Sequence, residues 1–77
     1  MAKSLHSKEY KALTVVLLEA RKEAGLTQQQ VADRLKKPQS FVAKYEGGER
    51  RLDVIEFLAV CKALKTSAAH LIGQLVG

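Results

Sequence analysis

Apolar residues recur along this chain at spacings of three and four, and the runs are separated by polar caps and glycines. Leu13, Val16, Leu17, Ala20 and Ala24 fall on one side of a helical projection and predict a buried stripe. Ser7 can cap this first helix, and Gly25 supplies the left-handed residue that ends it near Ala24. Thr27 and Gln30 then form a capping box, in which each side chain bonds the other's backbone N–H, with Leu26 and Val31 as its hydrophobic staple. The box predicts a second helix from Gln28 to Leu35, with Val31, Ala32 and Leu35 inward.

Pro38 forces Lys37 into an extended conformation and is itself tolerated in the first turn of a helix. A third helix is therefore expected from about Pro38 to Glu46, ended by Gly47 and Gly48. Val42 and Tyr45 anchor it, which leaves Gln39, Ser40, Ala43 and Lys44 on a different face. Asp53 with Glu56 is a second capping box, stapled by Leu52 and Phe57. The fourth helix should run from Asp53 or Val54 to Leu64, with Val54, Phe57, Leu58, Cys61 and Leu64 as its apolar side. Thr66 or Ser67 caps a fifth, from Ala68 to about Leu75. No segment alternates with period two, so the expected class is all-α with five helices. Residues 1–6 read as a flexible N-terminal tail and 7–77 as one domain.

The totals narrow the function. At 77 residues and 47% hydrophobic content, a small core is reachable, and with only four aromatics it must be aliphatic. A net charge of +5 suits a polyanionic partner without choosing one. Cys61 is the only cysteine, which excludes an intramolecular disulfide, fits a reducing cytoplasm and reads as a buried structural thiol among apolar neighbours. No segment approaches the ~20 apolar residues of a membrane span, and the first ten residues hold no signal-peptide apolar run. His6 and His70 lie far apart, so no metal-ligand spacing exists. Gly47-Gly48 is too short to cradle phosphate, and no nucleophile–base set or paired carboxylates occur. Neither catalysis nor a cofactor is expected.

Gly25-Leu26-Thr27-Gln28, Val31-Ala32, Gln39-Ser40, Val42, Tyr45-Glu46 and the run Gly48 to Asp53 together resemble a known constellation. Over residues 18–72 the chain is similar to the helix-turn-helix domain of the phage repressor and Cro type, the xenobiotic-response-element family. The resemblance implies a five-helix, lambda-repressor-like domain that binds double-stranded DNA with the helix at about 38–46 in the major groove. It places Gln39, Ser40 and Lys44 at base edges. Gln28, Phe41, Gly47, Arg50 and Arg51 fall where members meet the DNA backbone. Arg21 and Glu46 match a buried ion pair between helices one and three. Two positions depart from the pattern: Lys36 and Lys65 stand where members usually have glycine. A left-handed conformation at either would cost on the order of 1 kcal/mol.

The residues themselves support the same chemistry. A glutamine amide donates and accepts at once, which matches N6 and N7 of adenine, while Lys44 can reach guanine O6/N7 or a phosphate. Arg50 and Arg51 suit phosphate neutralisation, unless they pair with Glu49 or Asp53 in solvent. The leading expectation is a transcriptional regulator, a repressor, working as a homodimer on half-sites ~10 bp apart. Leu71, Ile72, Leu75 and Val76 are the candidate dimer patch, although Leu71 and Ile72 serve equally well as core. The alternatives are an antitoxin or a restriction or mobile-element operon controller that also binds a protein partner, and a helical adaptor without DNA binding.

Overall fold

The computed structural model describes residues 7–76, and the tail expected over residues 1–6 lies outside them. The elements are α1 Lys8–Glu23, α2 Gln28–Leu35, α3 Gln39–Glu46, α4 Val54–Ala63 and α5 Ala68–Val76, with no strand among the described residues. Each start has its cap. Ser7 Oγ accepts from the N–H of Tyr10, and the Thr27/Gln30 and Asp53/Glu56 boxes close in both directions. Ser67 rather than Thr66 caps α5, accepting from the N–H of His70 at 3.2 Å. Pro38 precedes α3 with φ −68 and ψ 155, just outside the helix expected to begin there.

α1 packs on α3 and α5, α2 packs on α3 and α4, and α4 meets α5. Between them lie Leu17, Val31, Ala32, Val42, Tyr45, Phe57, Val60, Cys61, Ala63, Leu64 and Leu71, all buried. Leu13, Val16, Ala20 and Leu35 pack on this core only partly buried, and Ala24 is exposed. Burial pushes the Cys61 thiol above its ordinary value, as a structural thiol requires.

α4 is turned differently from its expected orientation. Val54 is 71% exposed and Leu58 47%, while Val60 and Ala63 face inward with Phe57, Cys61 and Leu64. Positions 57, 60, 61 and 64 form a complete i, i+3, i+4, i+7 stripe, whose opposite side carries 54, 55, 58, 59 and 62. The helix is apolar nearly all round, so periodicity alone admitted either face.

Both lysines in the glycine positions are left-handed, Lys36 at φ 59 and Lys65 at φ 58. In the α2–α3 turn this lets the N–H of Lys37 reach the carbonyl of Ala32 at 3.0 Å, closing α2 before the chain reverses into α3.

Candidate nucleic-acid interface

α3 is held from beneath by Val42 and Tyr45, which are 0% and 1% exposed. On an ideal helix, residues 39, 40, 43, 44 and 47 then occupy the opposite arc. Gln39, Ser40, Lys44 and Gly47 are exposed there, so the expected reading face is open to solvent. Gly47 closes α3 with its N–H bonded to the carbonyl of Ala43, and the left-handed residue behind it is Gly48, φ 79. A Cβ at Gly47 would come within 3.1 Å of the Ala43 carbonyl oxygen, so the missing side chain relieves crowding against the end of α3 itself.

Hydrogen bonding orients Gln39. Arg21 Nε donates to Glu46 Oε2 at 2.7 Å and its Nη1 to the carbonyl of Leu26 at 2.8 Å. The two ionised side chains are 13% and 5% exposed, so this is a buried ion pair between α1 and α3, as the resemblance implied. Glu46 Oε1 accepts Gln28 Nε2 at 2.8 Å, and Gln28 Oε1 accepts Gln39 Nε2 at 2.6 Å. The carboxylate can only accept. Gln28 must therefore turn its NH₂ toward Glu46 and its oxygen toward Gln39, which must donate in turn. Gln39 keeps its amide oxygen and its second N–H for a ligand, one acceptor and one donor. Gln28 itself, expected at the DNA backbone, has its side chain committed to this relay. Its backbone N–H remains at the open first turn of α2.

Beside α3, Phe41 is half-buried and stands edge-on to Tyr45, centroids 5.7 Å apart. Lys37 Nζ lies 5.4 Å and Arg50 Cζ 4.8 Å from the Phe41 centroid, so this ring gathers two cations along the flank of α3. Arg50 does not pair with Glu49 or Asp53. Its guanidinium meets Glu56 at 2.7 and 3.0 Å and the carbonyl of Arg51 at 2.8 Å. Hydrogen bonding from Arg50, and then from the backbone of Asp53, holds the Glu56 carboxyl at about 2. Glu56 therefore partly neutralises Arg50 in the free protein.

Tyr10 had no place among the sequence-derived site residues, yet it sets the loop that carries both arginines. Its hydroxyl donates to the carbonyl of Arg50 at 2.9 Å and accepts the N–H of Leu52 at 3.2 Å. Arg51 Cζ lies 4.5 Å from the Tyr10 centroid. Burial, the largest influence on this phenol, raises its pKa and keeps it protonated as a donor. Only its position one turn into a capped helix hinted at burial, since its partners lie some forty residues away.

The proposed dimer residues separate. Leu71, 2% exposed, belongs to the core beneath α1 and cannot face a partner, whereas Ile72 and Val76 are 46% and 79% exposed and Leu75 is intermediate.

Residues 17–71 match a family model described as helix-turn-helix. An XRE-family like protein from Pseudomonas syringae pv. tomato str. DC3000 is 50% identical, with a TM-score of 0.86 over 94% of this chain and 88% of that one. The chain belongs to the XRE family of helix-turn-helix proteins. The restriction-modification controller protein C.Esp1396I, solved as a tetramer with its natural 35 base-pair operator, is 21% identical with a TM-score of 0.85, covering 92% of this chain and 93% of its own. The clp gene regulator ClgR from C. glutamicum is 22% identical with a TM-score of 0.83, over 92% and 91%. At those identities the two share the fold. No curated protein matches the chain. Among the described residues, no helix is long and apolar enough to cross a membrane.

Proposed function

We propose that this XRE-family protein is a sequence-specific, double-stranded DNA-binding transcriptional regulator that acts as a homodimer, with repression as its outcome. It would insert α3 into the major groove of each half-site and work in the cytoplasm without a cofactor or catalytic step. The observation that carries the reading is the solvent-facing side of α3, where Gln39, Ser40 and Lys44 stand together and the Gln39 amide is already oriented. An adenine edge offers an N6 donor and an N7 acceptor, the complement of the two atoms Gln39 keeps free. Lys44 suits guanine or a phosphate, and Ser40 adapts to either neighbour. The fold shared with an operator-bound controller and with a gene regulator adds support.

Phosphates would be met by Lys44, Arg51 and the open first turn of α2, with Gly47 and Phe41 shaping the approach. Arg50 would join them by exchanging Glu56 for a phosphate. Two copies using Lys44, Arg50 and Arg51 would neutralise about six phosphates, for a log–log salt slope near −5.

Selection of bound duplexes from a random pool tests the whole reading. The expected product is a palindrome with half-sites ~10 bp apart, in which Gln39→Ala relaxes one position by roughly 1–3 kcal/mol. Absence of binding to any duplex at low salt overturns it.

A further inference from the structure

Two ion pairs with different surroundings hold the segments around α3. Arg21–Glu46 is closed to solvent, whereas the side chains of Arg50 and Glu56 are 39% and 24% exposed. The open pair belongs to a larger cluster. Phe41, next to Ser40 on α3, has Arg50 Cζ at 4.8 Å and Lys37 Nζ at 5.4 Å from its ring centroid. Lys37 comes from the turn before α3 and Arg50 from the loop after it, so one ring gathers cations from both ends of the helix. Lys37 is exposed, while its backbone is fixed by the N–H bond to the carbonyl of Ala32. Glu56 brings a carboxylate to these cations and accepts from both Arg50 amino groups, at 2.7 and 3.0 Å. Its carboxyl is held well below its ordinary value by Arg50 first, and the charge of Lys37 adds to the effect.

We infer that Lys37, Phe41 and Arg50 form a phosphodiester site on the flank of α3, and that Glu56 is a built-in competitor that fills it until DNA enters. The inference rests on the major-groove docking proposed above and deepens it. A carboxylate and a phosphodiester both present two oxygens that a guanidinium fork can bridge, so one anion can replace the other without rebuilding the site. The contact with Phe41 does not depend on which anion Arg50 holds. Lys37, on the same ring, would meet the same phosphate or its neighbour along the strand.

Release of Arg50 leaves Glu56 with a partner. Its Oε1 still accepts the N–H of Asp53 at 3.0 Å, and the Asp53 carboxylate still accepts the N–H of Glu56 at 2.7 Å, so α4 stays capped. The exchange therefore costs a solvent-accessible pair and not a helix start. Because phosphates carry no sequence, Glu56 would lower the affinity for every duplex and leave base reading to α3.

Salt titrations of the full chain on a selected duplex and on random duplex test the site. Lys37 in each of two copies raises the phosphates neutralised from about six to about eight, for a log–log slope near −7, and Lys37→Gln should return it to about −5. Glu56→Gln keeps an oxygen for the N–H of Asp53 and removes the competing charge. It should tighten binding to both duplexes by about threefold per copy, or about tenfold for two copies, the size of an exposed pair. Added positive charge alone would also tighten binding, so the decisive measurement is a cycle with Arg50→Gln. The affinity lost with Arg50 should be about tenfold greater in the Glu56→Gln background than in the native one. Thermal melts of the variants should stay close to the native protein, because the pair they alter is open to solvent. Equal losses in the two backgrounds overturn the inference, as does a slope that Lys37→Gln leaves unchanged, and in both cases the duplex binding itself persists. Failure of the docking reading looks different: the native chain and Glu56→Gln would both leave every duplex unbound at low salt, which overturns both proposals.

Discussion

Glu46→Ala is the most informative single change. The native carboxylate accepts from Arg21 Nε at 2.7 Å, Arg21 Nη2 at 3.2 Å and Gln28 Nε2 at 2.8 Å, in a place that leaves its side chain 5% exposed. Its removal strands a guanidinium that is 13% exposed and bonded otherwise to the carbonyl of Leu26. Breaking a buried pair from one side costs about 3–5 kcal/mol, and access of water to the Arg21 edge favours the lower figure. A domain of 77 residues has roughly 4–11 kcal/mol in total. At ~1 kcal/mol per molar urea, the unfolding midpoint should fall by about 3 M with the slope unchanged. Urea titration followed by helical circular dichroism measures this. Replacing both partners, Arg21→Met with Glu46→Leu, should recover most of the loss, because it removes the stranded charge as well. A loss below about 1 kcal/mol for Glu46→Ala would refute the reasoning, since it is the size of an exposed pair. Equal instability of the single and double variants would refute it too.

Lys36→Gly and Lys65→Gly should each stabilise by about 0.5–1 kcal/mol, the left-handed strain relieved less the freedom glycine adds to the unfolded chain. Differential scanning calorimetry should show melting rising by several degrees for each, and Lys36→Ala, which keeps Cβ, should give no such rise. Tyr10→Phe should cost about 1–2 kcal/mol in chemical denaturation for its two lost bonds. Gel shifts should show it weakening specific and random duplex alike, because it loosens the arginine loop and leaves Gln39 alone. The Glu56 carboxyl should titrate near 2 by NMR against its ordinary 4.5. A depressed folded value means that its contribution to stability is complete above about pH 4.5 and lost as pH falls through about 2, a dependence that Glu56→Gln should lack.

Local chemistry made most of the fold legible. The two capping boxes located the starts of α2 and α4, and Gly25, φ 74, ended the α1 segment as its position implied. Val42 and Tyr45 on one side of α3 implied an outward Gln39 and Lys44, and both are exposed. What escaped detection depends on partners distant along the chain. Val54 and Leu58 looked like core because nothing local distinguishes them from Phe57 and Val60; only the packing of α2 and α5 decides which side of α4 is covered. Arg50 had acidic neighbours on both sides, yet chose Glu56, whose carboxylate the capping box had already brought to the loop. Tyr10 acts through a loop that no periodicity connects to it.

The relay that ends at Gln39 has a thermodynamic consequence. A glutamine free to sample its rotamers loses roughly 0.5–1.5 kcal/mol of conformational freedom when a complex immobilises it. Here the bond to Gln28 already restrains the Gln39 amide in the free protein, so in the proposed complex less of that freedom would remain to be lost. Under the proposed docking, the same bond narrows what evolution can try at position 39: a replacement that reads a new base must also donate a hydrogen bond to Gln28, or leave its amide oxygen without this partner.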